Sequence, residues 1–168
     1  NHFNRLKMGL EALHIEPQDD FSTEKLEEQI KEVIKANGIT EGGRIRLTLS
    51  RASIGMYMPQ YETGFDYLIE AMALEENRFA LNERGLVLDI YPEMRKQINR
   101  LSYFKTLNCQ LYIMASIYAK QNDLDNVLIT NENDCIIESA NSNLFIVSNG
   151  VLYTPPLADG CLGGTMRM

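Results

Sequence analysis

The chain has 168 residues, 45% of them apolar and 23% charged, which suits one ordinary globular domain or two small ones with a packed core. A formal charge of -7 and a pI near 4.9 exclude a broad basic surface for nucleic acid or an anionic membrane, so an anionic ligand must be held locally. Cys109, Cys135 and Cys161 are odd in number and form no CxxC pair, and no apolar run approaches the roughly 20 residues that span a bilayer. These features point to a reducing, cytoplasmic setting with no disulfide framework, no metal site and no membrane partner.

Phe3, Leu6, Leu10 and Leu13 share one helical face, so a helix is expected almost from the first residue. Ser22 is placed to cap a second helix carrying Leu26, Ile30, Val33 and Ile34, and Asn37-Gly38 is a suitable stop. Arg44 to Arg51 alternates polar and apolar residues, the period of a half-buried strand with its arginines on one face. Further strands are expected at Phe65 to Leu74 and Leu86 to Ile90. A polar connector containing Pro92 then leads to a third helix marked by Leu107, Leu111, Met114, Ala115 and Tyr118 and ending near Asn122. Beyond it, Val127 to Thr130, Cys135 to Ser139, Asn143 to Ser148 and Val151 to Thr154 are short β-prone runs. Asn149-Gly150 predicts a type I′ hairpin between the last two, and Pro155-Pro156 ends the final strand. The reading is an α+β chain with a small α/β domain over 1–91, a connector over 92–104, and the first part of a larger domain over 105–168.

Three places carry residues suited to chemistry. Lys105, in Ser102-Tyr103-Phe104-Lys105-Thr106-Leu107-Asn108, has apolar and aromatic neighbours that favour a neutral amine able to attack an aldehyde; the alternative is a surface lysine that begins a helix. Glu138 sits near the end of an apolar strand, where a carboxylate needs a partner. That partner is either a ligand N–H or a cation of the protein itself, and an edge-strand Glu in water is the third possibility. Gly160-Cys161-Leu162-Gly163-Gly164-Thr165-Met166-Arg167 is a glycine-rich turn whose exposed amides suit phosphate, or else it is only a turn. Arg5 is a second phosphate candidate, or an exposed helix arginine.

Taken in order, His2-x-x-Arg5-Leu6, Ser50-Arg51, Lys105-Thr106-Leu107-Asn108, Glu138 to Phe145, Leu152 to Pro156 and Leu162 to Arg167 form a set that resembles the motifs of class IV aminotransferases over nearly the whole chain. The resemblance implies a two-domain fold with a small α/β domain and part of a larger barrel-like sheet domain. It also implies pyridoxal 5'-phosphate as cofactor, an amino acid and a 2-oxo acid as substrates, and a homodimer. Carried over by position, Lys105 matches the Schiff-base lysine, Glu138 the partner of the ring nitrogen and Arg5 a phosphate ligand. The backbone amides of Thr165 and Met166 match the phosphate turn, and Arg167 is expected to brace that turn rather than bind.

Within this family the substrate signals diverge. D-amino-acid aminotransferases and aminodeoxychorismate lyases usually place an arginine shortly after the Ser50-Arg51 strand, where this chain has Ser53-Ile54-Gly55-Met56-Tyr57. Arg46 instead falls where branched-chain aminotransferases carry an arginine, so it is the candidate for the substrate carboxylate. Lys105-Thr106-Leu107-Asn108 lacks the glycine spacer and following Tyr of the branched-chain group, and Gly164-Thr165-Met166-Arg167 is closer to the lyases. The start without Met and the end just past the glycine turn lead to the expectation of a piece cut from a longer protein. The resemblance thus implies transamination, with lyase chemistry as the alternative. A non-catalytic α+β binding domain is the reading from another class.

Overall fold

The structure, a computed structural model, describes residues 1–52, 55–60, 64–77, 80 and 82–167. Ser53 and Ile54 of the Ser53-to-Tyr57 segment, and Met168, lie outside the described residues. The fold is α+β, and the chain divides into two compact units, Leu6–Leu81 and a larger one made of Asn1–Arg5 with Asn82–Met168.

The smaller unit contains most of α1 (His2–Ala12), α2 (Thr23–Ala36) and the antiparallel pair β1 (Gly43–Arg51) and β2 (Phe65–Ala73). The Ser22 side chain accepts a hydrogen bond from Lys25 N at 3.1 Å and so satisfies one of the free amides at the start of α2. At its other end Asn37 caps the helix, and Gly38 takes the left-handed conformation that stops it. Leu10, Ile15 and Phe65 are buried together, with Phe21 packed edge-on against Phe65 at a ring separation of 4.8 Å. Each such aromatic removes enough apolar surface to contribute about 1.5–3 kcal/mol. Arg51, at the end of β1, donates to the carbonyls of His14 and Leu13, which have no partner within α1. The β1–β2 register sets Arg46 opposite Glu70.

In the larger unit β3 (Leu88–Ile90) runs parallel to β4 (Asn126–Thr130), and β4 pairs antiparallel with β5 (Ile136–Ser139). Helix α3 (Gln110–Gln121) forms the crossover between β3 and β4 and packs on β4 through Ala115 and Ala119, small residues one turn apart that allow close approach. Its expected start at Leu107 moves to Gln110. Cys109 gives no side-chain cap there, and Leu107 is left exposed. The core joins Tyr91, Ala115, Ala119, Val127, Ile129, Ile137, Ala140 and Cys161. The segment expected as a connector over 92–104 belongs to this unit, where Lys96 makes a parallel bridge with Asn131. The β6 (Ile146–Ser148) and β7 (Val151–Tyr153) hairpin turns at Asn149 and Gly150, both with positive φ as a type I′ turn requires. Among the described residues no helix is long and apolar enough to cross a membrane.

Candidate active site

Glu138, next to last in β5, has its carboxylate withdrawn from solvent, the residue being 2% exposed. Ile137 and Glu138 point to opposite faces of β5 and both are buried: Ile137 fills the core, while the bridge from Glu138 to Asn143 turns the chain back beside the strand. Its Oε1 accepts from Lys96 Nζ and from the Tyr112 hydroxyl, both at 2.7 Å, and its Oε2 accepts from Leu162 N at 2.8 Å. A charged group so deeply buried is tolerable only with such partners. Of the three possibilities for Glu138, an internal ion pair is therefore present.

Lys96 is held as closely. Its backbone N–H donates to Thr130 O, its ammonium donates to Ser102 O at 3.2 Å as well as to Glu138, and Nζ stands 5.4 Å from the centroid of the Tyr112 ring. Its side chain is 11% exposed. Burial first, and the Glu138 carboxylate second, hold the Tyr112 phenol far above its ordinary value of 10.0, so this hydroxyl remains a donor. Burial likewise pushes the Cys161 thiol up from 9.0.

The Leu162 peptide joins Glu138 to the glycine-rich turn. The Leu162 N–H donates to Glu138 Oε2 and the Leu162 C=O accepts from Asn143 Nδ2 at 2.8 Å, so the peptide groups on both sides of the Leu162 Cα are held. Gly163 N donates to Tyr103 O at 2.9 Å, which ties the turn to the segment that carries Lys105. A Cβ at Gly163 would strike the Tyr103 ring, and one at Gly164 would overlap Asn143 Oδ1, so the approach requires glycine at both positions. Beyond them, the amides of Thr165 and Met166 have no acceptor among the described residues. Arg167 donates to Thr154 Oγ1, whose own hydroxyl donates to Leu144 O; Arg167 thus braces the turn.

Every residue of the chain, 1–168, matches the family model for amino-transferase class IV. The chain belongs to the class IV aminotransferases. Over 63 residues it is 35% identical to a provisionally named branched-chain-amino-acid aminotransferase of Methanocaldococcus jannaschii, a match covering 38% of this chain and 22% of that one. Among solved structures it is similar to the Escherichia coli branched-chain amino acid aminotransferase, with a TM-score of 0.82 at 25% identity over 99% of this chain and 54% of that one. In fold it also matches a provisionally named 4-amino-4-deoxychorismate lyase from Legionella pneumophila, with a TM-score of 0.80 at 24% identity over 99% and 59% of the two chains. The chain spans a little over half the length of these solved relatives.

For a class IV aminotransferase, the expected site residues have unequal surroundings. Glu138 and the Thr165-Met166 turn are linked through Leu162, and the backbone two residues before Lys105 is bonded to the same turn. The Lys105 side chain is exposed and makes no hydrogen bond or ion pair among the described residues. Arg5 groups with the larger unit, and its amide closes the first turn of α1 onto Asn1 O. Arg46 lies in the smaller unit, where its Nε pairs with Glu70 Oε2 at 3.2 Å and its side chain is 70% exposed.

Sequence reasoning passed over Lys96 and Tyr112. Tyr112 had a signal, since 112, 115 and 119 fall on one helical face. Lys96 had none, because it lies in a polar connector and meets its partner only through the β4–β5 pairing.

The donor and acceptor set fits pyridoxal phosphate. Glu138 uses three of its roughly four acceptor sites, which leaves one for a ring N–H, and two successive free amides suit a phosphate.

Proposed function

We propose that this chain forms the central part of a pyridoxal-phosphate aminotransferase that moves an amino group between an amino acid with an apolar or modest side chain and a 2-oxo acid. The observation that supports it most is the buried Glu138 carboxylate with one acceptor site unused, bonded to Leu162 at the glycine turn whose Thr165 and Met166 amides have no acceptor among the described residues. When bound, the cofactor supplies an electron sink for the pair left at the substrate Cα. Glu138 would hold the ring nitrogen protonated, the Thr165 and Met166 amides with Arg5 would hold the phosphate, and Lys105 would hold the cofactor covalently. Once displaced by the substrate amine, Lys105 Nζ would take the proton from Cα and return it on the cofactor's side.

Two lysines compete for the covalent role, and chemistry favours Lys105. The aldehyde carbon of pyridoxal phosphate lies para to the ring nitrogen, so the lysine and the carboxylate that hold them are separated by the ring. Lys96 is in direct contact with Glu138 and cannot meet that requirement while Glu138 holds the nitrogen. Lys96 is also tied by two donated hydrogen bonds, to Glu138 and to the Ser102 carbonyl, and paired with a carboxylate that favours its charged form, which has no lone pair for attack.

Substrate choice rests on the smaller unit. Met56 stands 91% exposed where lyases carry a cation, and Arg46 keeps guanidinium donors beyond the Nε used by Glu70. Arg46 would therefore help to position the substrate carboxylate. The competing reading, release of p-aminobenzoate from aminodeoxychorismate, is favoured by the lyase-like turn at Gly164-Thr165-Met166-Arg167 and by the fold match to the Legionella protein. We also assign two chains to the working enzyme, as the family implies, in the cytoplasm. The test supplies the full-length protein with cofactor and follows both products: keto acid from leucine or alanine with 2-oxoglutarate, and p-aminobenzoate from aminodeoxychorismate. Keto acid is expected; rapid p-aminobenzoate release with negligible keto acid would replace this reading by the lyase.

A further inference from the structure

The Glu138 carboxylate already has a counter-ion. Lys96 and Glu138 are both buried and make a 2.7 Å ion pair, and Tyr112, the other donor to the same oxygen, is neutral. Before a cofactor arrives the cluster is therefore balanced at one positive and one negative charge. A protonated ring nitrogen adds a second positive charge to the same carboxylate. Among the described residues Lys96 pairs with no other anion, its remaining side-chain partners being the Ser102 carbonyl and the Tyr112 ring face.

We propose that Lys96 is a positioning residue that acts on the cofactor through Glu138: it shares the carboxylate with the ring nitrogen and limits how tightly the ring proton is held. This inference rests on the reading of Glu138 as the ring-nitrogen partner. Two geometric facts determine its direction. Lys96 and Tyr112 both bond Oε1, so the unused acceptor site lies on Oε2, beside the Leu162 amide. Lys96 thus does not block the ring nitrogen; it competes with it electrostatically across one carboxylate. Two positive charges sharing one buried carboxylate repel each other more strongly than they would in water, because little solvent screens them.

The experiment compares equilibrium binding of pyridoxal phosphate with that of its analogue in which the ring nitrogen is replaced by C–H. The readout is the ratio of the two affinities, measured in the full-length protein without turnover. Lys96→Met should raise that preference for the natural cofactor by roughly tenfold, because Glu138 loses the one cation it pairs with among the described residues. Lys96→Arg should leave the ratio near that of the parent. Lys96→Gln, which retains a donor to Oε1 while removing the charge, should shift the ratio in the same direction as Met and serves if the Met variant does not fold. A ratio unchanged in both neutral variants, with the two affinities falling together, would make Lys96 merely structural. A lowered ratio would mean that it aligns the carboxylate rather than competing for it, and either result overturns the proposal. Glu138→Gln separates the underlying reading: it should lower the ratio, and if it does not, Glu138 is not the ring partner and the role of Lys96 falls with it.

Discussion

Replacing Glu138 by Gln should destabilise the larger unit even with no cofactor present. A carboxylate accepts on both oxygens, but the Gln amide has one acceptor and one donor end. Lys96 and Tyr112 donate from one side and Leu162 N from the other, so the amide NH2 must face a donor in either orientation. In addition, the Lys96 ammonium, 11% exposed, is left without its counter-ion. Removing one partner of a buried pair costs about 3–5 kcal/mol, and a conservative shape change does not recover the charge term. Hydrogen exchange followed by mass spectrometry locates this loss. Peptides covering β4 and β5, which contain Ile129 and Ile137 at 0% exposure, should exchange faster by about two to four orders of magnitude, while peptides from Leu6–Leu81 should not change. The double variant Lys96→Met with Glu138→Gln, which buries no unpaired charge, should recover part of the protection. Unchanged exchange in β4 and β5 of the single variant would refute the claim that the ion pair organises this unit.

The remaining predictions concern neighbouring groups. Arg5→Ala should weaken pyridoxal phosphate binding by roughly tenfold without abolishing the covalent link, because the Thr165 and Met166 amides remain; an unchanged dissociation constant would make Arg5 a surface residue. Tyr112→Phe should cost about 1.5–3 kcal/mol of unfolding free energy at neutral pH, since a hydrogen bond to a charged group is lost; denaturant titration measures it. The phenol of Tyr112 and the thiol of Cys161 are both raised in the folded protein, so the unfolded chain ionises first. Their contribution is complete below the unfolded values of 9.0 and 10.0 and is lost as pH rises above them. Cys161 is common to both proteins, so the stability advantage of the parent over Tyr112→Phe should hold up to about pH 9 and shrink as pH rises past the phenol's unfolded value of 10.0; an advantage that grows there would contradict the assigned shift.

Local chemistry made much of the fold legible. The Ser22 cap, the Asn37-Gly38 stop and the Asn149-Gly150 turn each act within a few residues, where side-chain reach and permitted φ decide the outcome. The alternation from Arg44 to Arg51 likewise announced β1. What was hidden depended on pairing at a distance. Lys96 meets Glu138 across 42 positions, and Arg46 meets Glu70 only because the β1–β2 register sets them opposite. Glu138 was recognisable as a carboxylate in need of a partner, but its strand alone could not say whether that partner was a ligand or a lysine. The start of α3 shifted for a local reason: without a capping side chain at Cys109, the turn from Thr106 to Cys109 closes on itself through Cys109 N to Leu107 O.

Two lysines separate the central claim from its nearest rival. Full-length protein is incubated with pyridoxal phosphate, the visible absorption is recorded, and the covalent link is fixed with borohydride before peptide mapping. The account predicts a visible band that is lost in Lys105→Ala, with the phosphopyridoxyl group on the peptide containing Lys105. A group on Lys96 or Lys120 instead, or a band that persists in Lys105→Ala, would contradict it.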